Sequence, residues 1–416
     1  MKADLLAVDE ARRRLIGGMV PLVAAEDIAL DAAVGRVLAM AVHAEADHPS
    51  FANSSMDGFA VRAADVAGAA MGKPVTLRVV GDAPAGRASP ITVGPGEAIR
   101  IMTGAMVPEG ADAVVPVEQT DAGDRSQWGA LPDRVTVLRG EQTGANIRPR
   151  GQDIRDGDAA LASGKLIGPK EAGLLAMLGY DRVSAIRKPR TAALATGDEL
   201  RAAGTRPEVG AIYDSNSPMV SALLVDAGAD VVRRGKVGDD AAEIRNWLDA
   251  AVEDGVDLIV STAGVSVGSY DYVRDVLMKY GSLEGWRVNM RPGKPLAFGR
   301  YREVPFVGLP GNPVSAFVGF EVFVRPALRQ LAGETGWQRR RVRARLAEAV
   351  ESDGRESYLR GTLEDAADGS GPVARLAGHQ GSGNLFGLSQ SNALIVLAAG
   401  VQSMEEGQLV EVWPIS

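Results

Sequence analysis

Four glycine- and proline-rich segments in the middle of the chain carry charge in patterns suited to phosphate chemistry. Ala195-Thr196-Gly197-Asp198-Glu199-Leu200 follows an apolar run, and its two acids suit a cation or a ribose hydroxyl. By itself a Gly-Asp-Glu turn also fits a solvated bend. Ser261 to Asp271 reads STAGVSVGSYD. Small residues such as Gly264, Ser266 and Gly268 let backbone N–H groups approach a phosphate, and a helix start favours the anion. Asp271 would repel that phosphate unless Mg²⁺ lay between them. Arg287-Val288-Asn289-Met290-Arg291-Pro292-Gly293-Lys294-Pro295 gathers three cations in eight residues and stiffens them with two prolines. Such a cluster suits a phosphate or a tetrahedral oxyanion. Gly308-Leu309-Pro310-Gly311-Asn312-Pro313-Val314-Ser315 opens an apolar helix near Val314 and sets Ser315 at its start. Each loop alone is weak evidence. Four on one sheet edge favour a phosphorylated ligand.

Three further segments hold isolated polar groups among turn formers: Asn53-Ser54-Ser55-Met56-Asp57-Gly58-Phe59-Ala60, Ile101-Met102-Thr103-Gly104-Ala105 and Gly151-Gln152-Asp153-Ile154. Composition does not raise these above turns.

The elements that must position these residues fall into three stretches. From Ser50 to about Gly144, short β-like runs (Val75–Val80, Ala98–Met102, Ala113–Val117, Arg134–Leu138) alternate with Gly and Pro clusters, which predicts a small β domain. From about Arg182, strands alternate with helices. Thr191–Ala195, Asp257–Ser261 and Val304–Val307 read as strands, Ser217-Pro218 as a helix cap, and Ile244 to Val252 as a helix closed by Gly255. That alternation predicts a parallel sheet flanked by helices, with ligands outside the carboxyl ends of its strands. After about Ala332 the chain is β-rich again, with strands at Leu359–Leu363, Val373–Leu376, Leu394–Leu397 and Leu409–Trp413. Near the start, Asp9 is placed to cap a helix whose solvated face carries Arg12 to Arg14. Pro169 opens another helix, which Gly179 ends.

The totals narrow the chemistry. A length of 416 residues suggests about three domains. With 45 Lys+Arg against 53 Asp+Glu the chain carries a net −8, which argues against nucleic acid or an anionic membrane surface as partner. There is no cysteine, so disulfides, thiolate zinc sites and cysteine nucleophiles are excluded. His43, His48 and His379 are scattered, so any metal is expected to be a hard cation on carboxylates, Mg²⁺ above all. The acids in MKADLLAVDE do not suit a signal peptide, and no apolar run reaches the length of a membrane span. A cytoplasmic location is expected.

Taken in order, NSSMDGFA, MTGA, RGQDI, ATGDEL, GVSVGSYDY, RPGKP and GLPGNPVS resemble the molybdopterin molybdenumtransferase family: bacterial MoeA and the E domain of plant Cnx and animal gephyrin. The likeness runs from about Asn53 to Pro326, with a looser echo beyond. It implies a multidomain α/β plus β protein. A discontinuous mixed domain of 1–45 and 146–180 is interrupted by a small β domain, 46–145. A doubly wound α/β domain of molybdopterin-binding type, 181–331, precedes a C-terminal β-barrel, 332–416. The implied state is a homodimer. The implied reaction inserts molybdate into adenylylated molybdopterin with Mg²⁺-dependent release of AMP, placing the upstream molybdopterin adenylyltransferase among possible partners. Carried over by position, Asp57, Thr103, Asp153, Glu199, Asp239 and Asp271 fall on functional polar positions, Glu199 and Asp271 as metal ligands. Arg287, Arg291, Lys294 and Ser315 fall at an anion-binding loop and helix start, and Arg360 and Ser382 on polar positions of the last domain. The sequence departs from the family pattern at Ala263, where glycine is usual, and at Phe59, where tyrosine is. Arg287 and Arg291 stand where lysine is common. Two other classes compete. A scaffold that keeps the fold without turnover could have discarded the acids, yet they are present. An amidohydrolase-type protein borrowing the α/β domain would have no use for NSSMDG and RGQDI.

Overall fold

Between Arg190 and Leu309 apolar residues come in uninterrupted runs, the pattern of strands covered on both faces. The computed structural model describes residues 5–123, 130–206, 208–263, 272–284 and 287–415. It forms a six-stranded sheet in the order Asp230–Val237, Arg190–Thr196, Leu258–Thr262, Val304–Leu309, Ala297–Tyr301, Gly281–Glu284. The first four strands are parallel, as expected, but the last two join through antiparallel ladders. The cause is local. Only Arg302 and Glu303 separate Tyr301 from Val304, too little chain for a parallel crossover.

Alternation within the strands divides the core. Ala192, Leu194, Ile259 and Phe306 pack with Ile244, Leu248, Val273 and Leu277 of the helices Ala241–Glu253 and Tyr272–Tyr280. Ala193, Leu258, Val260 and Val307 face the other way, toward Val220 and Leu224 of the helix Asn216–Asp226 and toward Val8, Ala11 and Leu15 of the helix Val8–Gly17. Both faces are thereby covered, leaving the loops at the carboxyl ends free to bind.

Several expected helix ends move by a residue or two. Val8–Gly17 starts beyond Ala7 with no side-chain cap, and Asp9 lies inside its first turn, paired with Arg12. Burying Val8, Ala11 and Leu15 on one stripe sets that phase, two residues earlier than a cap at Asp9 would allow. The helix Asn216–Asp226 is held at its start by Asp214, which accepts from Ser217 N at 2.9 Å, so Ser217 is not the cap. The apolar helix after Asn312 runs Pro313–Gly319, widens to a π-turn over Phe320–Val324 and resumes as Arg325–Leu331. Pro326 has no N–H to return to Val322, which suits one wider turn at that point.

Toward the C-terminus, Glu356–Asp365, Pro372–Leu376, Val342–Leu346, Leu409–Pro414 and Ala393–Leu397 close into a five-stranded barrel around Ala344, Leu359, Ala374, Ile395 and Val412. Val342–Leu346 was not anticipated. Its inward Ala344 and Leu346 alternate with Arg343 and Arg345, and the charges masked a half-buried strand. The two-residue strand Met290–Arg291 adds to the barrel edge along Glu356–Ser357.

The chain divides into two compact units. One comprises Met1–Met40, Gly164–Pro169 and Arg182–Ser416, and holds the sheet and barrel just described. The other comprises Ala41–Ser163 and Lys170–Asp181. Its main sheet orders Ala113–Pro116, Gly58–Val61, Glu97–Ile101, Val75–Ala83 and Arg134–Val137 over two apolar faces, one with Phe59 and Val61, the other with Ala60 and Ile99. Among the described residues no helix is long and apolar enough to cross a membrane.

Candidate active site

The parallel register builds the first part of the site. Thr196 stands opposite Val237 where the two strands end, so Asp198 and Asp239, two residues further on, meet. Asp239 N donates to Asp198 Oδ1 at 3.2 Å. Burial raises the Asp239 pKa above its ordinary value, and the negative charges of Asp198 and Glu199 push it further the same way. Glycine suits both turns beside them. With φ +144°, a Cβ on Gly197 would lie 2.5 Å from Glu199 Oε2, and one on Gly238 2.8 Å from Asp198 Oδ1. Carboxylates crowded enough to repel one another fit the donor chemistry of a hard divalent cation. Among the described residues no set of three or more His, Cys, Asp or Glu closes into a finished metal cage.

Beside the acids lies a cavity of about 400 Å³, lined by Thr196, Glu199, Asn216, Thr262, Pro295 and Gly311 among others. Its place is topological. The chain leaves Arg190–Thr196 for the strand on one side and returns to Leu258–Thr262 on the other, and such a switch opens a crevice at the carboxyl edge. Asn216 Nδ2 donates to Gly311 O at 2.6 Å, tying the start of one helix to the Pro310–Asn312 loop. Ala263 sits at φ +70°, in the left-handed region that glycine prefers. A Cβ on Gly311 would come 3.3 Å from the Ala263 Cβ, so the two turns approach closely. Gly264, Ser266, Gly268 and Asp271 lie outside the described residues.

The cationic segment lies against the helix start and the barrel. Gly293, at φ +98°, is buried where a Cβ would meet Ser315 O at 3.5 Å, and Val288 N donates to Lys294 O. Arg355 Nη1 holds Met290 O at 3.0 Å, which fixes the strand carrying Arg291 on the barrel edge. Val314 N donates to Ser382 O at 3.1 Å, so the barrel loop holding Ser382 meets the helix start holding Ser315. Ser315 is buried, Arg291 half-buried and Lys294 exposed. The Arg287 carbonyl is taken by Leu6 N at 3.0 Å. Arg360 is 1% exposed, and desolvation lowers its pKa. Its guanidinium donates to the carbonyls of His379 and Gly381, while Nε has no partner and no carboxylate pairs with it among the described residues.

In the other unit, Asp57 Oδ1 accepts from both Thr103 N and Thr103 Oγ1 at 2.8 Å. Two backbone links hold this pair. Gly104 N bonds Ser54 O, and Ser54 N bonds Ala105 O. Gly58 admits no side chain, because a Cβ there would lie 2.0 Å from Val115 O. Asp153 belongs to a separate turn. Its N–H bonds His48 O, and its exposed carboxylate has no hydrogen bond among the described residues.

The sequence reading missed Asn216 and named Asp198 only beside Glu199, as suited to a cation or a ribose hydroxyl. Asp198 was signalled by its place beside Glu199, and Asn216 by its position two residues beyond Asp214 at a helix start. Neither signal separates a site residue from a turn residue until the strands are set side by side.

Comparison with known proteins gives the same outline along the whole chain. Residues 6–179 match the MoeA N-terminal region (domain I and II), 192–330 a probable molybdopterin binding domain, and 343–415 the MoeA C-terminal region (domain IV). A molybdopterin molybdenumtransferase 2 of Mycobacterium tuberculosis is 38% identical over 98% of this chain and 99% of its own. A molybdopterin molybdenumtransferase of Bacillus subtilis is 35% identical over 99% and 94%. The crystal structure of a molybdopterin biosynthesis moeA protein from Pyrococcus horikoshii superposes with a TM-score of 0.84 at 28% identity, covering 99% of this chain and 100% of that one. The sheet-edge acids, the switch-point cavity and the barrel-backed cationic loop therefore sit in a chain that belongs to the MoeA family.

Proposed function

We propose that this chain inserts molybdate into adenylylated molybdopterin with Mg²⁺-dependent release of AMP, a step of molybdenum cofactor biosynthesis giving Mo-molybdopterin. The carrying observation is one crevice at the switch point of the sheet, lined by Glu199, Asp214, Thr196 and Thr262 and reached at Pro295 by the end of the cationic segment. Its volume suits a small organic ligand. Glu199 and Asp271 are assigned as Mg²⁺ ligands, and Asp239 stands within reach of the same charge. Bound there, Mg²⁺ would supply Lewis-acid polarisation of a phosphoryl oxygen and offset the burial and neighbouring negative charge that raise the Asp239 pKa.

The chain's own groups then divide the work. Backbone around Gly264, Ser266 and Gly268 is assigned to a substrate phosphate. Arg291, Lys294 and Ser315 are assigned to the oxyanion, with Arg360 and Ser382 behind them and Arg287 at the margin. Asp57, which accepts two bonds from Thr103, is assigned to hold or accept a proton, and Asp153 is assigned to the same catalytic set. The working state is taken to be a homodimer. The assay supplies adenylylated molybdopterin, molybdate and Mg²⁺ to the purified chain and follows AMP. Release with molybdenum captured on the pterin supports the reading, whereas ligand binding without any turnover would replace it with a scaffold.

A further inference from the structure

The loop that carries Ser382 is fastened by a side chain with no role so far. The strand Pro372–Leu376 pairs with Glu356–Asp365 until Leu376 faces Gly361, and Ala377 N still reaches Arg360 O at 2.9 Å. At Gly378, with φ +63°, the chain turns away. From there the Gln380 carboxamide takes over the ladder. Its Oε1 accepts from Arg360 N at 2.8 Å, and its Nε2 donates to Arg360 O at 3.0 Å and Gly378 O at 3.2 Å. Those partners fix the amide's orientation, since only the oxygen can face an N–H and only the nitrogen a carbonyl. Arg360 answers with its own side chain, Nη1 to Gly381 O at 3.1 Å and Nη2 to His379 O at 2.5 Å. Asn384 Nδ2 adds a bond to His379 O at 3.0 Å. The next residue beyond this clamp, Ser382, receives Val314 N at the helix start.

We propose that Gln380 is a positioning residue for the oxyanion subsite. It docks the His379–Asn384 loop on the strand bearing Arg360 and so fixes Ser382 beside Ser315. The proposal rests on reading Arg360 and Ser382 as oxyanion-binding groups. An amide imitating a strand rung satisfies the Arg360 N–H that the turning chain leaves over, and it does so without a charge. A carboxylate in its place would bring a negative charge to the buried guanidinium and compete with the incoming anion.

The test uses the full-length protein with Gln380→Ala, and with Gln380→Met where alanine does not fold, since Met keeps the stem and removes both polar groups. Inorganic molybdate binding is titrated calorimetrically, AMP release is measured across molybdate concentration, and amide exchange is followed at Arg360 and Val314. The expected result is about tenfold weaker molybdate binding with a matching rise in half-saturating molybdate. Turnover at saturating molybdate stays within twofold, and both amides exchange faster. Unchanged exchange, unchanged molybdate affinity, or turnover falling in step with affinity each overturns the proposal. A wild-type protein whose molybdate affinity is indifferent to Arg360→Ala and Ser382→Ala shows instead that the underlying subsite reading has failed, and Gln380 loses its role with it.

Discussion

At the scale of single residues, the sheet edge presents Glu199 and Asp239 as acids whose charge is held close to other charge. Glu199→Gln keeps size and removes the charge proposed to bind Mg²⁺. AMP release is expected to fall about one hundredfold, the scale of losing a catalytic group. Full release by this variant, or by the wild type in excess chelator, removes the assignment. The cationic side makes a different demand. Arg291 is half-buried on a strand anchored to the barrel, and its charge is proposed to meet the oxyanion in an otherwise acidic protein. Arg291→Ala should raise half-saturating molybdate about tenfold and leave AMP release at saturating molybdate far less affected. A parallel loss of both would make the residue a general phosphate or folding contact. The motifs made these charges legible, because Gly-Asp-Glu and Arg-Pro-Gly-Lys are unusual in composition. The Asp57–Thr103 pair was not readable as a contact, since 46 residues separate its members.

Elements position these groups, and two of them carry measurable strain or linkage. Ala263 ends the strand Leu258–Thr262 in the left-handed region at φ +70°, a conformation disfavoured by about 1–2 kcal/mol for a residue with a Cβ. Glycine would relieve this but lose more chain entropy on folding. Ala263→Gly is expected to gain about 0.5 kcal/mol by denaturant unfolding. A loss of stability would show that packing against Gly311 outweighs the dihedral. On the far side of the sheet, buried Tyr301 donates to Asp249 Oδ1 at 2.6 Å and links the strand Ala297–Tyr301 to the helix Ala241–Glu253. Burial and the Asp249 carboxylate push its pKa up to about 12 from 10. The folded state therefore holds the proton more tightly. This contribution is complete below pH 10 and is lost as pH rises toward 12. Tyr301→Phe should cost about 1–2 kcal/mol at neutral pH. The gap to wild type should narrow between pH 10 and 12, and a constant gap across that range would contradict the linkage. The strands Arg190–Thr196, Leu258–Thr262 and Val304–Leu309 were foreseeable from their apolar runs. The antiparallel edge was not, because hairpin or crossover was decided by the two residues Arg302 and Glu303.

For the whole molecule the open quantity is assembly. The family likeness motivates a homodimer, and light scattering or sedimentation should give twice the 43.5 kDa of the chain. Exposed Val20 and Val23 in the larger unit are apolar side chains of the kind an interface covers. A mass of one chain at micromolar concentration would rule the dimer out.

What the sequence determined by itself is local and chemical. Absence of cysteine excluded thiolate chemistry, and apolar runs between Gly and Pro clusters marked the central strands Arg190–Thr196, Leu258–Thr262 and Val304–Leu309. The order of motifs named the family before any strand was placed. Only the tertiary structure decided what those motifs face. Parallel pairing of Arg190–Thr196 with Asp230–Val237 brought Asp198 to Asp239 across 41 residues. Closure of the barrel set the Gln380 amide on Arg360 and carried Ser382 to Val314. The reason is one of range. Periodicity and turn chemistry act over a few neighbouring residues, whereas a site assembled from strand ends depends on register and strand order. Those are settled when the two faces of the sheet are buried together, a condition no local stretch of sequence encodes alone.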